Sequence, residues 1–114
     1  MSAGELIISA VYRGTEIGRC TASETENTQI TIGREPGNSI VIPSQYVGRV
    51  HCVLRFYNGV WYAQNQSRNG TFINGSQIDG FTPLRAGDKL SLLSGDKEIS
   101  INFSQHSAAG GNTG

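Results

Sequence analysis

The sequence predicts an all-β fold, an antiparallel β-sandwich of two sheets with short strands and functional loops at one pole. Three observations predict it. Apolar residues alternate with polar ones at period two along most of the chain. Asn-Gly pairs punctuate it at Asn58-Gly59, Asn69-Gly70 and Asn74-Gly75. No window of helical length carries an apolar stripe at 3.6-residue spacing.

The strand candidates follow in order, from about Leu6 to Phe103. Ile30 and Ile32 flank Thr31, and Ile40 and Ile42 flank Val41. Cys52, Leu54 and Phe56 alternate with Val53, Arg55 and Tyr57. Asn58-Gly59 separates that run from Val60–Gln64, and Asn-Gly favours positive φ at both central positions of a type I′ turn. This pair is therefore the clearest hairpin. Leu90 and Leu92 alternate with Lys89 and Ser91, and Ile99, Ile101 and Phe103 with Glu98, Ser100 and Asn102. Many short strands with regular turn signals imply a sandwich or barrel. Pro43 to Val47 is expected to hold one helical turn, and Ser94 to Asp96 another loop.

With 114 residues the chain suits one domain, expected to span residues 1–104. Residues 105–114 are expected to form a flexible tail or linker, with His106 solvated in it. The stretch from Ser104 to Gly114, SQHSAAGGNTG, has no large apolar side chain. The charges balance, nine of each sign, which speaks against general nucleic-acid or membrane-surface binding. Any anion site must be local. Seven of the nine cationic residues are arginines, whose planar fork of donors suits phosphate and carboxylate. No apolar run is long enough for a membrane span, and Met1 to Glu5 lacks the features of a signal peptide. Cys20 and Cys52 read as reduced thiols of a cytoplasmic protein. No metal-ligand spacing and no cofactor motif is present.

Three segments at strand ends carry candidate chemistry. They are Gly33-Arg34, then Gly48-Arg49-Val50-His51, then Ser67-Arg68-Asn69-Gly70-Thr71-Phe72-Ile73-Asn74-Gly75. Together they offer Arg34, Arg49 and Arg68, the neutral donors Ser67, Asn69, Thr71 and Asn74, and a single carboxylate, Glu35. Such a set suits a dianionic phosphate, because arginine–phosphate bonds are charge-assisted and often bidentate. Each segment alone would pass for an ordinary turn.

In combination, their order and spacing resemble a forkhead-associated (FHA) domain. That family's pattern runs Gly-Arg, then Ser-x-x-His, then Asn-Gly-Thr-x-x-Asn-Gly. The resemblance covers nearly the whole strand pattern. It implies a binding module, monomeric and without catalytic activity, that docks a phosphothreonine-containing protein or peptide in signalling or complex assembly. Arg34 would be a phosphate ligand. Asn69 would hold the peptide main chain just after the phosphothreonine, and Arg68 would lie beside the phosphate or peptide. Gly33, His51, Gly70, Thr71, Asn74 and Gly75 would brace and shape the loops. Tyr46, Val47 and Ser94–Asp96 would influence which flanking residues are accepted.

One position departs from the pattern. The family's phosphate-binding serine, three before the histidine, is Gly48 here. A hydrogen bond to a charged group contributes roughly 1.5–3 kcal/mol, so its loss would weaken binding by about ten- to a hundredfold. Two replacements are open: the exposed backbone N–H of Gly48, or the side chain of Arg49. Gly48→Ser is then expected to strengthen binding. Without a replacement, the same face would serve a phospho-independent structural interaction module.

Two further patterns have plainer explanations. His51 beside Cys52 suggests a thiol nucleophile, but neighbours on a strand point to opposite faces, and Cys52 suits the core. Phe56, Tyr57, Trp61 and Tyr62 suggest a base-stacking platform, but the balanced charge favours cross-strand and core packing.

Overall fold

The computed structural model describes residues 4–85, 87–92 and 99–106. Among the described residues eleven strands follow one another: β1 (Glu5–Tyr12), β2 (Thr15–Ser23), β3 (Gln29–Gly33), β4 (Ile40–Val41), β5 (Cys52–Tyr57), β6 (Val60–Asn65), β7 (Phe72–Ile73), β8 (Ser76–Gln77), β9 (Thr82–Leu84), β10 (Lys89–Ser91) and β11 (Ile99–His106). One sheet has the order β2-β1-β11-β10-β7-β8 and the other β4-β3-β5-β6-β9.

The alternation places the core. Leu6, Ile8 and Ala10 of β1, Ile30 and Ile32 of β3, Cys52, Leu54 and Phe56 of β5, and Trp61 and Ala63 of β6 all turn inward. Leu90 of β10 and Ile101 of β11 complete the contribution of the sheet that holds β1. The Trp61 ring meets Phe56 edge-on at 5.2 Å, and its Nε1 donates to Glu24 at 2.8 Å. These two aromatics are thus core, whereas Tyr57 lies exposed at the strand end. Together with Tyr62 and Phe81 it lines a shallow cleft of about 380 Å³, away from the three polar segments.

Several expectations need correction. The sandwich is antiparallel as expected apart from one described pair, β3–β4, which is parallel and matches Ile32 with Ile40. The short connection doubles back because Thr31 and Ser39 exchange backbone-to-hydroxyl bonds of 3.1 Å each. Pro43 to Val47 holds a β-turn rather than a helical one, closed by Val47 N–H donating to Ser44 O at 3.0 Å. β11 runs through His106, beyond residue 104, because Glu5 at the start of β1 pairs with it. His106 therefore ends a strand instead of lying in a tail. The rest of the expected tail and the Ser94–Asp96 loop lie outside the described residues.

The turns divide in two. Asn58-Gly59 and Asn74-Gly75 have positive φ at both residues, 51° and 83°, 52° and 87°, as type I′ hairpins require. At Asn69-Gly70 only Gly70 is left-handed, with φ 86°. Ser67 explains the difference, since its Oγ accepts the Asn69 N–H at 3.1 Å and closes a local loop.

Antiparallel pairing then gathers the polar segments. Ile32 pairs with Cys52, and Cys52 with Asn65, so the end of β3, the start of β5 and the end of β6 share one pole. Thr71, just before β7, is tied to Asn65 by a 2.8 Å bond from its Oγ1.

Candidate functional site

Gly33 fixes the first loop against the second. A Cβ there would lie 2.2 Å from the carbonyl oxygen of Arg49, so only glycine permits this approach. The next residues use the contact: Arg34 N–H donates to Gly48 O at 2.9 Å, and Asn38 Nδ2 to Arg49 O at 2.7 Å. Arg34 Nε donates to Val47 O at 3.2 Å, which aims the guanidinium across the pole. Val47 is buried and contributes its carbonyl, so its side chain cannot select a ligand as the sequence suggested. Tyr46 beside it is exposed.

His51 binds the second loop to the third. The Gly48 N–H donates to His51 Nδ1 at 3.0 Å, and His51 Nε2 lies 2.7 Å from Gly70 O. The carbonyl can only accept, so the proton sits on Nε2 and Nδ1 is the acceptor. Burial pushes the His51 pKa below its usual value, partly opposed by the carbonyls of Gly70 and Leu92. The imidazole is a neutral strut, as the bracing role required.

The third loop has a brace that sequence reasoning missed. Asn65 Nδ2 donates to Ser67 O at 2.7 Å, while its Oδ1 accepts from Ser67 N at 3.2 Å and Thr71 Oγ1 at 2.8 Å. An Asn two residues before a Ser at a strand end is an Asx-turn signal that could have found it. Asn69 Nδ2 donates to the Tyr46 carbonyl. Asn74 reaches away from this pole and braces β10, with Nδ2 donating to Asp88 at 3.0 Å and Oδ1 accepting from Lys89 N at 2.9 Å.

These loops enclose an open cleft of about 450 Å³ whose lining includes Arg34, Gly48, Arg49, Ser67, Arg68 and Asn69. Among the described residues none of the three arginines there forms an ion pair; the one pair recorded is Arg19–Glu16. The cleft is therefore a cationic concavity with polar donors on its wall. All five residues proposed from sequence to contact ligand reach it. One expected replacement for the missing serine is excluded, because the Gly48 N–H is spent on His51. Cys52 lies in the core, and burial pushes its pKa up to about 12, which removes it as a thiolate nucleophile at neutral pH.

A two-sheet sandwich that gathers polar loops at one end has the architecture of a loop-borne binding module. The chain belongs to the FHA domain family, whose pattern matches residues 30–93. It is 40% identical over 85 residues to the probable serine/threonine-protein kinase fhkA of Dictyostelium discoideum. That stretch is 65% of this chain and 14% of the kinase, so the chain spans only a small part of that protein. Full-length yeast Pml1p superposes with a TM-score of 0.71 at 28% identity, covering 90% of this chain and 81% of that one. The yeast Dun1 FHA domain, solved with a doubly phosphorylated peptide, superposes at 0.70 with 20% identity, covering 97% and 81%. At that identity the likeness bears on the fold alone.

Proposed function

We propose that the protein docks phosphothreonine-containing peptide in the cleft between its three loops, as a reader in signalling or complex assembly. The observation that carries this is the convergence of Arg34, Arg49 and Arg68 on one concavity without a carboxylate partner among the described residues. Arg34, held by Val47 O, is the main phosphate ligand. Arg49 and Arg68 flank it. Asn69 has its Oδ1 available for the peptide main chain, since its recorded side-chain bond uses Nδ2. The free thiols Cys20 and Cys52 suit a reducing compartment such as the cytoplasm.

The test is an NMR titration of labelled protein with a degenerate phosphothreonine peptide mixture, with the unphosphorylated mixture as control. Shifts confined to the phosphorylated arm and centred on Arg34, Arg49 and Arg68–Asn69 are expected. Arg34→Ala should remove that response while the spectrum stays folded. Equal responses to both mixtures would instead support a phospho-independent interaction module. One observation favours that second function: Gly48 offers a ligand neither a hydroxyl nor a free N–H.

A further inference from the structure

The position of the missing serine is not empty space. A Cβ built on Gly48 would lie 3.3 Å from both Cβ and Oγ of Ser67. The Ser67 hydroxyl thus borders the space that a side chain at 48 would enter. We infer that Ser67 supplies the phosphate-facing hydroxyl that position 48 lacks, so that Gly48 and Ser67 form a compensating pair; this rests on the phosphothreonine-binding function proposed above.

Three features of Ser67 support the assignment. Its backbone is pinned on both sides by Asn65, through bonds of 2.7 and 3.2 Å. Its Oγ already accepts the Asn69 N–H at 3.1 Å. A hydroxyl has one proton and two lone pairs, and an oxygen that accepts must turn its proton elsewhere. Among the described residues no acceptor takes that proton, and the residue lines the cleft beside Arg68 and Asn69. The accepted bond also polarises the O–H and makes it a better donor.

Glycine at 48 fits the same arrangement. Its N–H and carbonyl are both occupied, by His51 Nδ1 and by Arg34 N–H. A Cβ there would meet Ser67 Cβ and Oγ at 3.3 Å, so Ser67 would have to give by a few tenths of an ångström. Gly48→Ser alone is therefore expected not to strengthen binding, contrary to the sequence expectation.

The test is a double-mutant cycle, read as the affinity of a fluorescent degenerate phosphothreonine peptide mixture and, separately, as the urea unfolding midpoint. Ser67→Ala should weaken phosphopeptide binding by about tenfold or more. Gly48→Ser should leave it unchanged or weaker. The double variant, Gly48→Ser with Ser67→Ala, should recover most of the loss, because the added serine restores a hydroxyl and no longer meets an Oγ at residue 67. A purely structural Ser67, needed only to accept the Asn69 N–H, would show no such recovery. Recovery absent, unchanged affinity in Ser67→Ala, or tighter binding in Gly48→Ser alone would each overturn the inference while the proposed function stands. Wild-type protein that does not prefer the phosphorylated mixture would overturn both.

Discussion

His51 shows what one residue does at this pole. It is fully buried, neutral, and accepts at Nδ1 from Gly48 while donating from Nε2 to Gly70. A second proton on Nδ1 would face the Gly48 N–H, donor against donor. Its folded pKa lies below the unfolded value of about 6.5, so the sign of the linkage is fixed. Above pH about 6.5 both states are neutral and the stabilisation is fully present. As pH falls from there towards the folded pKa, the unfolded chain takes the proton first and stability is lost. The urea midpoint is therefore expected to hold steady from pH 8 to 7 and to decline below about 6.5, ahead of carboxylate titration. A His51 ring titrating at or above the ordinary value by NMR would contradict this. Most of the site was legible at this scale: Arg34, Arg49, Arg68 and Asn69 all reach the cleft. Ser67 was singled out only as one of several neutral donors, because its contact with Gly48 joins two loops and sequence spacing does not encode that; Asn65 escaped although its local bonds to Ser67 carry an Asx-turn signal. Val47 was misjudged because burial, unlike motif position, cannot be read from a loop.

Among the elements, the β5–β6 hairpin is the clearest case of sequence dictating structure. Its strands alternate cleanly and its Asn58-Gly59 turn has φ of 51° and 83°. Gly59→Ala forces a side chain into the left-handed region and should cost about 1 kcal/mol or more. The turn lies some six residues from the loop pole, about 20 Å along the strands. Peptide affinity should thus stay at the wild-type level while the thermal midpoint falls; a parallel loss of affinity would mean that the strands transmit strain. Other elements were less legible for physical reasons. β4, β7 and β8 have two residues each, too few to display any period. The β1–β2 hairpin turns through Arg13-Gly14, with φ of 53° and 81°. Arginine carries no turn signature, so only the pairing of Tyr12 with Thr15 betrays it.

Across the molecule, one core serves both sheets. Leu6, Ile8 and Ile101 from one side pack in the same cluster as Ile32, Leu54 and Trp61 from the other. Neither sheet can keep its apolar face dry alone, so the loops rest on a scaffold that must form as a unit. The chain reverses direction at each antiparallel pairing, and this orders its two poles. β5 leaves the loop pole and β6 returns to it, while β7 leaves from Thr71 and β10 comes back beside it, matching Ser91 with Phe72. β11 then departs again and finishes at His106, opposite Glu5 at the start of β1. Covalent continuity is therefore a matter of convention at the far pole. Across such a pair the Cα atoms stand about 5 Å apart, a gap that a short glycine-rich linker from His106 to Glu5 would span with ease. A circular permutant closed there and opened between Asn58 and Gly59 should fold and bind the phosphothreonine mixture as the linear chain does. Retained affinity would show that the cleft belongs to the arrangement of the strands and not to the order in which they are synthesised.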